Sequence, residues 1–595
     1  MKHLFRLNHY FIKYKWHLLL GILFVVGSNY FAILIPQQIR EALDLVQGKI
    51  QAFKDSGGSS ESAEYNVLSS ALLKFGLIVT GFVIIKGILM YFMRQTIIVM
   101  SRLIEYDLRK SLFEKLTQLD QDFYRSYMTG DIMARISEDV SKVRNYLGPG
   151  ILYAINLVSL FTLTIYAMFK VDVTLSIFAL LPLPILSISI YYVSNTINAR
   201  STAIQKQLSK LTSTAQETYS GIRVIKGYTR ENNFIQHFDN ESEVYKELNL
   251  RLAKVEAYFQ PLMTFLIALS TLLVVVVGAI QVYNGKLTTG NIAEFILYVN
   301  MLTWPVTAIG WIASVVQEAE ASQKRINEIM DIVPQIRNSH DGHSLIYGDI
   351  EFKNVTFTYP NTGITALKNV SFNLRRGQKL AVLGRTASGK STIAELLARI
   401  FDVTSGQILI DGVDIRRHNL EDIRRNIAYV PQDSFLFSDT VANNIQFGLE
   451  EPAEIQEIEK YAGFASVHDD IEKLPQDYQT ILGERGVTLS GGQKQRVSIA
   501  RALIKDPQMV IMDDALSAVD TQTEQKIMQY FQTYMKDKTS VIITHRANNL
   551  LNYDKIIVLE NGAIVEEGTH ESLIQQDGFY ANVYYRQMKS EVEEY

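Results

Sequence analysis

The feature that most constrains the fold is a set of long apolar stretches confined to the first half of the chain. Six of them have about the 20 residues that a membrane-crossing helix needs. They lie at 16–36, 68–93, 147–169, 172–194, 258–283 and 292–316. After about residue 345 the apolar residues form short strand-like runs between polar helices. The sequence therefore predicts a membrane half followed by a soluble half.

The placement of Lys and Arg predicts which loops face the cytoplasm. Segments 94–146 and 195–257 each contain nine of these residues, whereas the short connections on the other side hold only Lys170 and Lys286. Because Lys and Arg are enriched in cytoplasmic loops, the two basic segments, the N-terminus and residues 317–595 are predicted to be cytoplasmic. The basic start of the chain lacks a small-residue cleavage site after its apolar stretch, so we expect a first membrane helix rather than a removed signal peptide.

The two basic segments are too long for structureless loops and have the composition of helices. We therefore expect the membrane helices to extend far into the cytoplasm. Each pair of helices would end in a short cross-piece, near Asp122–Thr129 in the first pair and near Tyr219–Lys226 in the second. Residues 42–66, which contain GGSSES, are predicted to form an external loop.

Five polar residues inside the predicted spans leave more than one interpretation open. Lys86 has a role in a cavity, or it snorkels to the inner surface or forms an internal ion pair. Asn29, Asn156, Asn300 and Glu294 line a pathway, or the asparagines form hydrogen bonds between helices.

Composition limits the function classes. A chain of 595 residues exceeds one hydrophobic core, so at least two domains are expected. The net charge of −4 argues against a nucleic-acid partner held by a basic surface. The chain has no cysteine, which excludes disulfides and thiolate metal sites.

The clearest motif lies at 379–392, KLAVLGRTASGKST, where an apolar strand meets a loop that opens a helix. This is the G-x-x-x-x-G-K-[ST] pattern in its required strand–loop–helix context. Lys390 is expected to reach the β- and γ-phosphates of a nucleotide, and Ser391 to ligate Mg²⁺. The predicted nucleotide-binding residues are Gly384, Arg385, Thr386, Ala387, Ser388, Gly389, Lys390, Ser391 and Thr392; we call residues 384–392 the phosphate cradle.

A second apolar strand ends in two adjacent aspartates, in MVIMDDALSAVD at 509–520. Asp513 is predicted to hold Mg²⁺, and Asp514 could polarise the attacking water. Tyr359 could stack on adenine, Gln432 could sense the γ-phosphate and ligate the metal, and His545 could contact the γ-phosphate. Singly, a tyrosine or histidine at a strand end is more often only packed or capped, so these assignments depend on the joint order of the motifs.

The sequence LSGGQ at 489–493 precedes another helix and predicts a second phosphate-binding helix start. We call its predicted binding residues, Ser490, Gly491, Gly492 and Gln493, the signature turn. The cradle and the signature turn meet one nucleotide only from opposite sides. This arrangement suggests that two such domains face each other, each lending its signature turn to the other's ATP.

The motifs GRTASGKS, VPQD, ILGERG, LSGGQ, MDD, SAVD and ITHR occur in the order and spacing of the ATP-binding-cassette (ABC) exporters. Over its whole length the chain resembles a bacterial half-transporter of the multidrug/lipid exporter type. The resemblance implies a type I exporter with the type IV fold: an all-α six-helix transmembrane domain followed by an α/β P-loop nucleotide-binding domain. We expect these domains at 1–320 and 346–595, with a linker at 321–345.

The resemblance also implies roles for individual segments. It implies an aromatic adenine contact at Tyr359, a Q-loop at Gln432 and a switch histidine at His545. It implies a cross-domain loop at 484–486 and a D-loop at 517–520. The segments near 122–129 and 219–226 resemble the coupling helices, which press on the nucleotide-binding domains.

Two residues depart from the pattern of the family. Ala387 stands where glycine is common, and we expect it to have a negative φ, which costs nothing. Asp514 stands where a catalytic glutamate is usual, and its side chain is one methylene shorter. We therefore expect slow ATP hydrolysis at this chain's own cradle, as in the degenerate half of a heterodimer. A homodimer in which Asp514 or His545 suffices is the alternative.

The function expected is ATP-driven export of amphipathic or hydrophobic compounds, drug-like or lipid, across the cell membrane. The expected cofactors are ATP and Mg²⁺, and the expected partners are a second half-transporter, membrane lipids and a hydrophobic small molecule. A homodimeric flippase for lipids of the lipid A type and an ATP-gated channel are the alternatives.

Overall fold

The computed structural model describes residues 2–55, 63–338, 340, 342–483, 486, 489–547 and 550–593. The chain forms two compact units. The first comprises Met1–Thr117 and Gly130–Asp331, and the second comprises Gln118–Thr129 and Ile332–Tyr595. A short segment from within the membrane half thus belongs to the soluble half; we call Gln118–Thr129 the coupling segment.

The described part of the first unit is helical. In chain order, and with α4 (Gln121–Ser126) belonging to the second unit, its helices are α1 (Asn8–Lys13), α2 (Lys15–Asp55), α3 (Ala63–Gln118), α5 (Thr129–Ala134), α6 (Val140–Asn145), α7 (Ile151–Val171), α8 (Val173–Leu180), α9 (Pro182–Ser220), α10 (Ile222–Gly227), α11 (Glu231–Tyr283) and α12 (Thr289–Met330). A 3₁₀ turn, Leu4–Leu7, precedes α1, and π-helical turns at Arg135–Asp139 and Tyr146–Gly150 flank α6.

Six helical stretches among the described residues are long and apolar enough to cross a membrane. They are Lys15–Lys49, Ser69–Gln118, Thr129–Val171, Val173–Ser220, Glu231–Tyr283 and Thr289–Met330. A helix rises about 1.5 Å per residue and the hydrocarbon core is about 30 Å thick, so the longest stretches extend well beyond a bilayer. This length agrees with the expected cytoplasmic extensions.

The structure differs from the sequence-based expectation at two segment boundaries. Residues 42–55, expected in an external loop, continue α2, whereas residues 56–62 of that loop lie outside the described residues. The helix α12 ends at Met330, so the first ten residues of the expected linker are helical. Both segments lie next to apolar spans, and a helix that has already formed extends at little further cost.

The second unit contains two β-sheets and the remaining helices. Its strands are β1 (Ile350–Thr358), β2 (Thr365–Leu374), β3 (Lys379–Gly384), β4 (Ser405–Ile410), β5 (Val413–Asp414), β6 (Ile427–Val430), β7 (Met509–Asp513), β8 (Thr539–Ile543), β9 (Lys555–Glu560) and β10 (Ala563–Gly568). Its helices after α4 are α13 (Lys390–Leu397), α14 (Leu420–Asn426), α15 (Val441–Gln446), α16 (Ile455–Phe464), α17 (His468–Ile471), α18 (Gly491–Leu503), α19 (Thr521–Tyr534), α20 (His570–Gln575) and α21 (Phe579–Glu593).

The larger sheet has the order β10-β9-β3-β8-β7-β6, and the smaller sheet has the order β2-β1-β4-β5. Strands β9, β3, β8, β7 and β6 pair in parallel, and β10 is antiparallel to β9. Every residue of β7 is buried, as expected for a parallel strand covered on both faces. The carboxyl ends of β3, β7 and β8 therefore carry Gly384, Asp513 and the residues after Ile543 to one edge of the sheet. An all-helical membrane unit followed by an α/β unit confirms the predicted fold class.

Candidate nucleotide site

The phosphate cradle connects β3 to α13. Gly389 has φ +99°, and a Cβ atom there would lie 2.4 Å from the Ala366 carbonyl oxygen, so only glycine fits. Lys390 is buried, and its Nζ donates to the carbonyl oxygens of Gly384 (2.9 Å) and Arg385 (2.8 Å). Burial lowers the pKa of Lys390, and the nearby Asp514 and Asp513 carboxylates oppose that shift. The lysine charge is thus held at the centre of the loop.

The backbone of Ala387 corrects one expectation. Its φ is +62°, in the left-handed region, where we expected a negative value. An L-residue with a Cβ pays roughly 1 kcal/mol or more for this conformation. The loop geometry around the phosphate cradle therefore overrides the preference of the alanine.

The expected metal ligands from two different elements lie together. The Ser391 hydroxyl at the start of α13 donates to Asp513 Oδ1 at the end of β7, at 3.1 Å. Burial raises the pKa of Asp513, the hydrogen bond from Ser391 lowers it, and the Asp514 carboxylate raises it. A divalent cation suits this pair, because it would offset the burial of the carboxylate and accept hydroxyl and carboxylate oxygens.

Asp514 is fixed by its main chain on both sides. Its φ is +48°, its N–H donates to the Ile543 carbonyl oxygen at 2.9 Å, and its own carbonyl oxygen accepts from the Ser517 hydroxyl at 2.9 Å. The side chain is half-buried. The carboxylate therefore starts from a backbone position that neighbouring residues hold.

His545 and Gln432 follow β8 and β6, and both are exposed. The pKa of His545 is lowered by partial burial and by the Lys390 charge, and the Asp514 carboxylate opposes that shift. His545 is thus close enough to the cradle to respond to its charges. Gln432 lies two residues beyond the end of β6, and β6 is the neighbour of β7 in the sheet.

Tyr359 lies in a network that sequence reasoning missed. Its hydroxyl donates to Glu395 Oε2 at 2.8 Å and lies 2.9 Å from Thr392 Oγ1. Arg125, on α4 of the coupling segment, donates to Glu395 Oε1 at 2.5 Å. Its guanidinium carbon is 4.9 Å from the ring centroids of both Tyr359 and Phe401. The predicted adenine-stacking ring is therefore in contact with a cation from the coupling segment.

A cavity of about 650 Å³ lies beside Tyr359 and the phosphate cradle. It is lined by Tyr359, by Arg125, by cradle residues Ala387–Thr392 and by Asn561–Gly562, among others. Among the described residues, the buried Ser388 Oγ in this loop has no hydrogen-bond partner. A buried polar atom without a partner beside a buried lysine suits an anionic ligand such as a nucleotide phosphate. The described residues that line this cavity do not include Asp513, Asp514, Gln432, His545 or the signature turn.

The signature turn is the N-terminus of α18. The Ser490 hydroxyl accepts from the Gln493 N–H, and the Gln493 side chain accepts from the Ser490 N–H, which forms a capping box. Ser490 and Gly491 are exposed. A Cβ at Gly492 would lie 2.7 Å from the Ala518 carbonyl oxygen, so the turn packs tightly on the loop after β7.

A second missed residue, Gln495, connects the signature helix to that loop. Its Nε2 donates to the Ser517 hydroxyl at 3.1 Å, and its Oε1 accepts from the Ala518 N–H at 3.0 Å. Ser517 in turn donates to the Asp514 carbonyl oxygen. Gln495 follows the LSGGQ motif by two residues, a signal that could have marked it. Residues 484 and 485 of the expected cross-domain loop lie outside the described residues.

Six membrane-length helices joined to an α/β unit with this cradle define a membrane protein with a nucleotide-hydrolysing domain. Residues 18–306 match the family model of the ABC transporter transmembrane region, and residues 367–517 match the ABC transporter model. Two relatives and one solved structure give closer comparisons.

The chain is 36% identical over 513 residues to the multidrug resistance-like ATP-binding protein MdlA of Escherichia coli (strain K12), covering 86% of this chain and 87% of that protein. It is 34% identical over 525 residues to the ATP-dependent lipid A-core flippase of Syntrophus aciditrophicus (strain SB), covering 88% and 85%. The structure of a bacterial Atm1-family ABC exporter with ATP bound matches with a TM-score of 0.75 and 25% identity, covering 95% and 98%.

The chain belongs to the ABC transporter family. It is a half-transporter of the multidrug or lipid exporter type, an ATPase coupled to transport, as its sequence predicted. It is a multi-pass membrane protein whose ATP-binding domain is cytoplasmic.

Proposed function

We propose that this chain is one half of a heterodimeric exporter that moves amphipathic or hydrophobic compounds, drug-like or lipid, out of the cytoplasm by alternating access. In this proposal its own phosphate cradle binds Mg-ATP but hydrolyses it slowly. Its signature turn completes a faster site built on the cradle of a second half-transporter.

Asp514 is the observation that carries the proposal. An aspartate carboxylate reaches about 1.5 Å less far than a glutamate carboxylate, and a misplacement of about 1 Å can cost about a hundredfold in rate. The backbone cannot easily advance to compensate. Asp514 donates its N–H to Ile543 and accepts from Ser517, so its main chain is tied to β8 and to the loop that contacts α18.

The predicted site residues have separate roles in binding the nucleotide. Lys390 and the loop N–H groups bind phosphate oxygens, and Tyr359 stacks on the base. Ser391, Asp513 and Gln432 hold Mg²⁺. When bound, Mg-ATP would supply phosphate oxygens that both facing domains bind, and its hydrolysis would weaken the contact between the two domains. His545, near Lys390 and Asp514, contacts the terminal phosphate.

The surface of α10 supports a dimer. Tyr219, Val224 and Tyr228, on or beside this short cross-piece, are 74%, 63% and 76% exposed. Exposed aromatic and aliphatic side chains on a short helix suit burial against another protein surface. In the proposed dimer this surface packs against the partner's nucleotide-binding domain.

A homodimeric lipid flippase is the second candidate. Two observations favour it: His545 is present and electrostatically close to the cradle, and the lipid A-core flippase of Syntrophus aciditrophicus matches 88% of this chain. In that case Asp514 or His545 would have to suffice for hydrolysis.

The deciding experiment compares ATP turnover of the full chain purified alone with that of the chain co-purified with a half-transporter that has a glutamate after its strand-end aspartate. The heterodimer proposal expects slow turnover by the lone chain and fast turnover by the pair. Turnover by the lone chain as fast as by the pair would contradict it and favour the homodimer. Efflux of a fluorescent lipophilic compound from reconstituted vesicles tests transport itself.

A further inference from the structure

A cavity of about 670 Å³ lies inside the first unit. Its lining comes from α2, α3, the π-helical turn before α7, α7 itself and Met301 of α12. Much of the lining is apolar, with Met90, Met93, Leu152 and Leu160 among its residues. A volume of this size holds a small molecule or part of a lipid.

The charged side chains among the described residues that line this cavity are all positive. Lys86 and Arg94 both line it, and no carboxylate is among the described residues that do so. Neither cation forms an ion pair or a side-chain hydrogen bond with any residue that the structure describes. By contrast, the buried Glu294 of α12 is paired with Arg40 of α2. That buried carboxylate therefore already has a cation as its partner.

The two cations share one face of α3 with two methionines. Lys86, Met90, Met93 and Arg94 are spaced i, i+4, i+7 and i+8, which places them on one side of a helix. Eight residues correspond to about 12 Å along the axis. The face thus presents an apolar, adaptable centre between two positive ends.

Two neutral polar side chains of the cavity, Asn29 and Asn156, are hydrogen-bonded to each other. Asn29 Nδ2 donates to Asn156 Oδ1 at 3.0 Å and to Ser159 Oγ at 2.5 Å. These interhelical hydrogen bonds match one of the two interpretations that the sequence left open for Asn29 and Asn156. Both asparagines are thus engaged between helices, whereas the two cations of the lining remain without an ion pair among the described residues.

We propose that this cavity binds an amphipathic anion, with its apolar body against Met90 and Met93 and its negative head on Lys86, Arg94 or both. Lys86 lies within the predicted span 68–93, where an unpaired cation is costly; an anionic ligand removes that cost while the methionines accept varied apolar shapes. The same chemistry is found in the phosphate headgroup of a lipid and in a free organic phosphate. This inference rests on the proposed export of amphipathic compounds, for which it names the charge.

The test measures binding to the nucleotide-free full chain in nanodiscs of phosphatidylcholine. Tyr153 lines the cavity, and its ring centroid is 5.3 Å from that of Trp304 and 5.4 Å from that of Trp311. Tryptophan fluorescence in a Trp16→Phe background therefore reports on the cavity. The probes are dodecyl phosphate, dodecyltrimethylammonium and dodecyl maltoside, which share one alkyl chain and differ in head charge.

The proposal expects dodecyl phosphate to half-saturate at a concentration at least about tenfold below those of the cationic and neutral probes, since a hydrogen bond between charged groups contributes roughly that factor. The double variant Lys86→Gln/Arg94→Gln should lose this preference. Lys74→Gln, which removes one positive charge from an exposed residue of α3 outside the cavity lining, should keep it.

Equal binding of the three probes, or a preference for the anion that survives Lys86→Gln/Arg94→Gln, would overturn the proposal. Adding phosphatidylglycerol to the nanodiscs separates the sources of the anion. Competition with dodecyl phosphate supports a lipid headgroup, and undiminished binding supports a free anion. The measurement needs neither ATP hydrolysis nor a second half-transporter, so failure of the proposed heterodimer leaves its outcome unchanged.

Discussion

The phosphate cradle and the signature turn are two phosphate-binding loops of one domain, and they differ in how their polar groups are used. The cradle encloses its lysine, whose Nζ donates to carbonyl oxygens of the cradle itself. Two residues on this side of the domain depart from the family pattern: Ala387 in the cradle and Asp514 directly after β7. The signature turn keeps its LSGGQ sequence and exposes Ser490 and Gly491. The residues around this chain's own ATP are thus altered, whereas the signature turn is unaltered. This arrangement is expected of a subunit that contributes more to hydrolysis at its partner's cradle than at its own.

The largest expected effect is the loss of ATP binding when the lysine of the cradle is removed. Lys390→Ala should weaken binding of a fluorescent ATP analogue to the lone full chain by at least about a hundredfold, because it removes charge-assisted hydrogen bonds to phosphate worth about 1.5–3 kcal/mol each. Ser490→Ala should leave that affinity unchanged. Equal losses in both variants would mean that the two loops meet one nucleotide within a single chain.

The next effect tests whether the length of the side chain at position 514 limits hydrolysis. Asp514→Glu should raise phosphate release by the full chain by up to about a hundredfold, since it restores the reach of the carboxylate. Asp514→Asn should change the slow wild-type rate little. A fast wild-type rate that disappears in Asp514→Asn would show that the aspartate already acts as an efficient catalytic group.

A smaller effect is expected at the adenine end of the cradle. Arg125 lies over the Tyr359 ring, so a stacking base must compete with its guanidinium. Arg125→Ala should tighten nucleotide binding about fivefold, the amount expected from a partly exposed cation–π contact and ion pair worth about 1 kcal/mol. Arg125→Lys, which keeps the charge without the planar group, should fall between the two. Titration of the fluorescent analogue measures all three proteins, and an unchanged affinity in Arg125→Ala would remove Arg125 from the site.

The smallest effect concerns Ala387. Ala387→Gly relieves the positive φ and should stabilise the nucleotide-binding domain by up to about 1 kcal/mol, or about 2–4 °C in its thermal midpoint. The control variant, Ala394→Gly inside α13, should destabilise it by at least about 1 kcal/mol, because glycine lowers helix stability and a buried methyl group is lost. Thermal unfolding of the full chain measures both. A lower midpoint for Ala387→Gly would mean that the alanine methyl group contributes more by packing than its backbone costs.

Local motifs explain how much of the site the sequence predicted. Lys390 and Ser391 lie within one strand–loop–helix, and Asp513 ends an apolar strand, so residue type and spacing suffice to bring them to one edge of a parallel sheet. The six spans are equally local, because a membrane helix needs only a continuous apolar run. The fold class and the predicted spans therefore agree with the structure.

The missed features depend on distant neighbours or on backbone geometry. Arg125 and Glu395 are 270 residues apart, and no periodicity links them. The expectation of a negative φ at Ala387 was wrong because residue type gave the preference of the alanine but not the turn imposed by Gly389 and the packed loop. The external loop was predicted too long because the loop-like composition of GGSSES was extended to the residues before it, which continue α2 to Asp55.

The coupling segment also has a consequence in time. The ribosome releases it about 200 residues before the rest of the unit to which it belongs, because that unit resumes at Ile332. At typical translation rates this gap lasts about 10–40 s. The rings of Phe123 and Tyr127 stack with their centroids 4.6 Å apart. During that interval the domain against which this segment packs has not yet been synthesised. In a nascent chain arrested before the phosphate cradle is made, this segment should therefore be accessible to proteases and chaperones. A C-terminal fragment expressed alone would lack α4, one of the helices of its own unit.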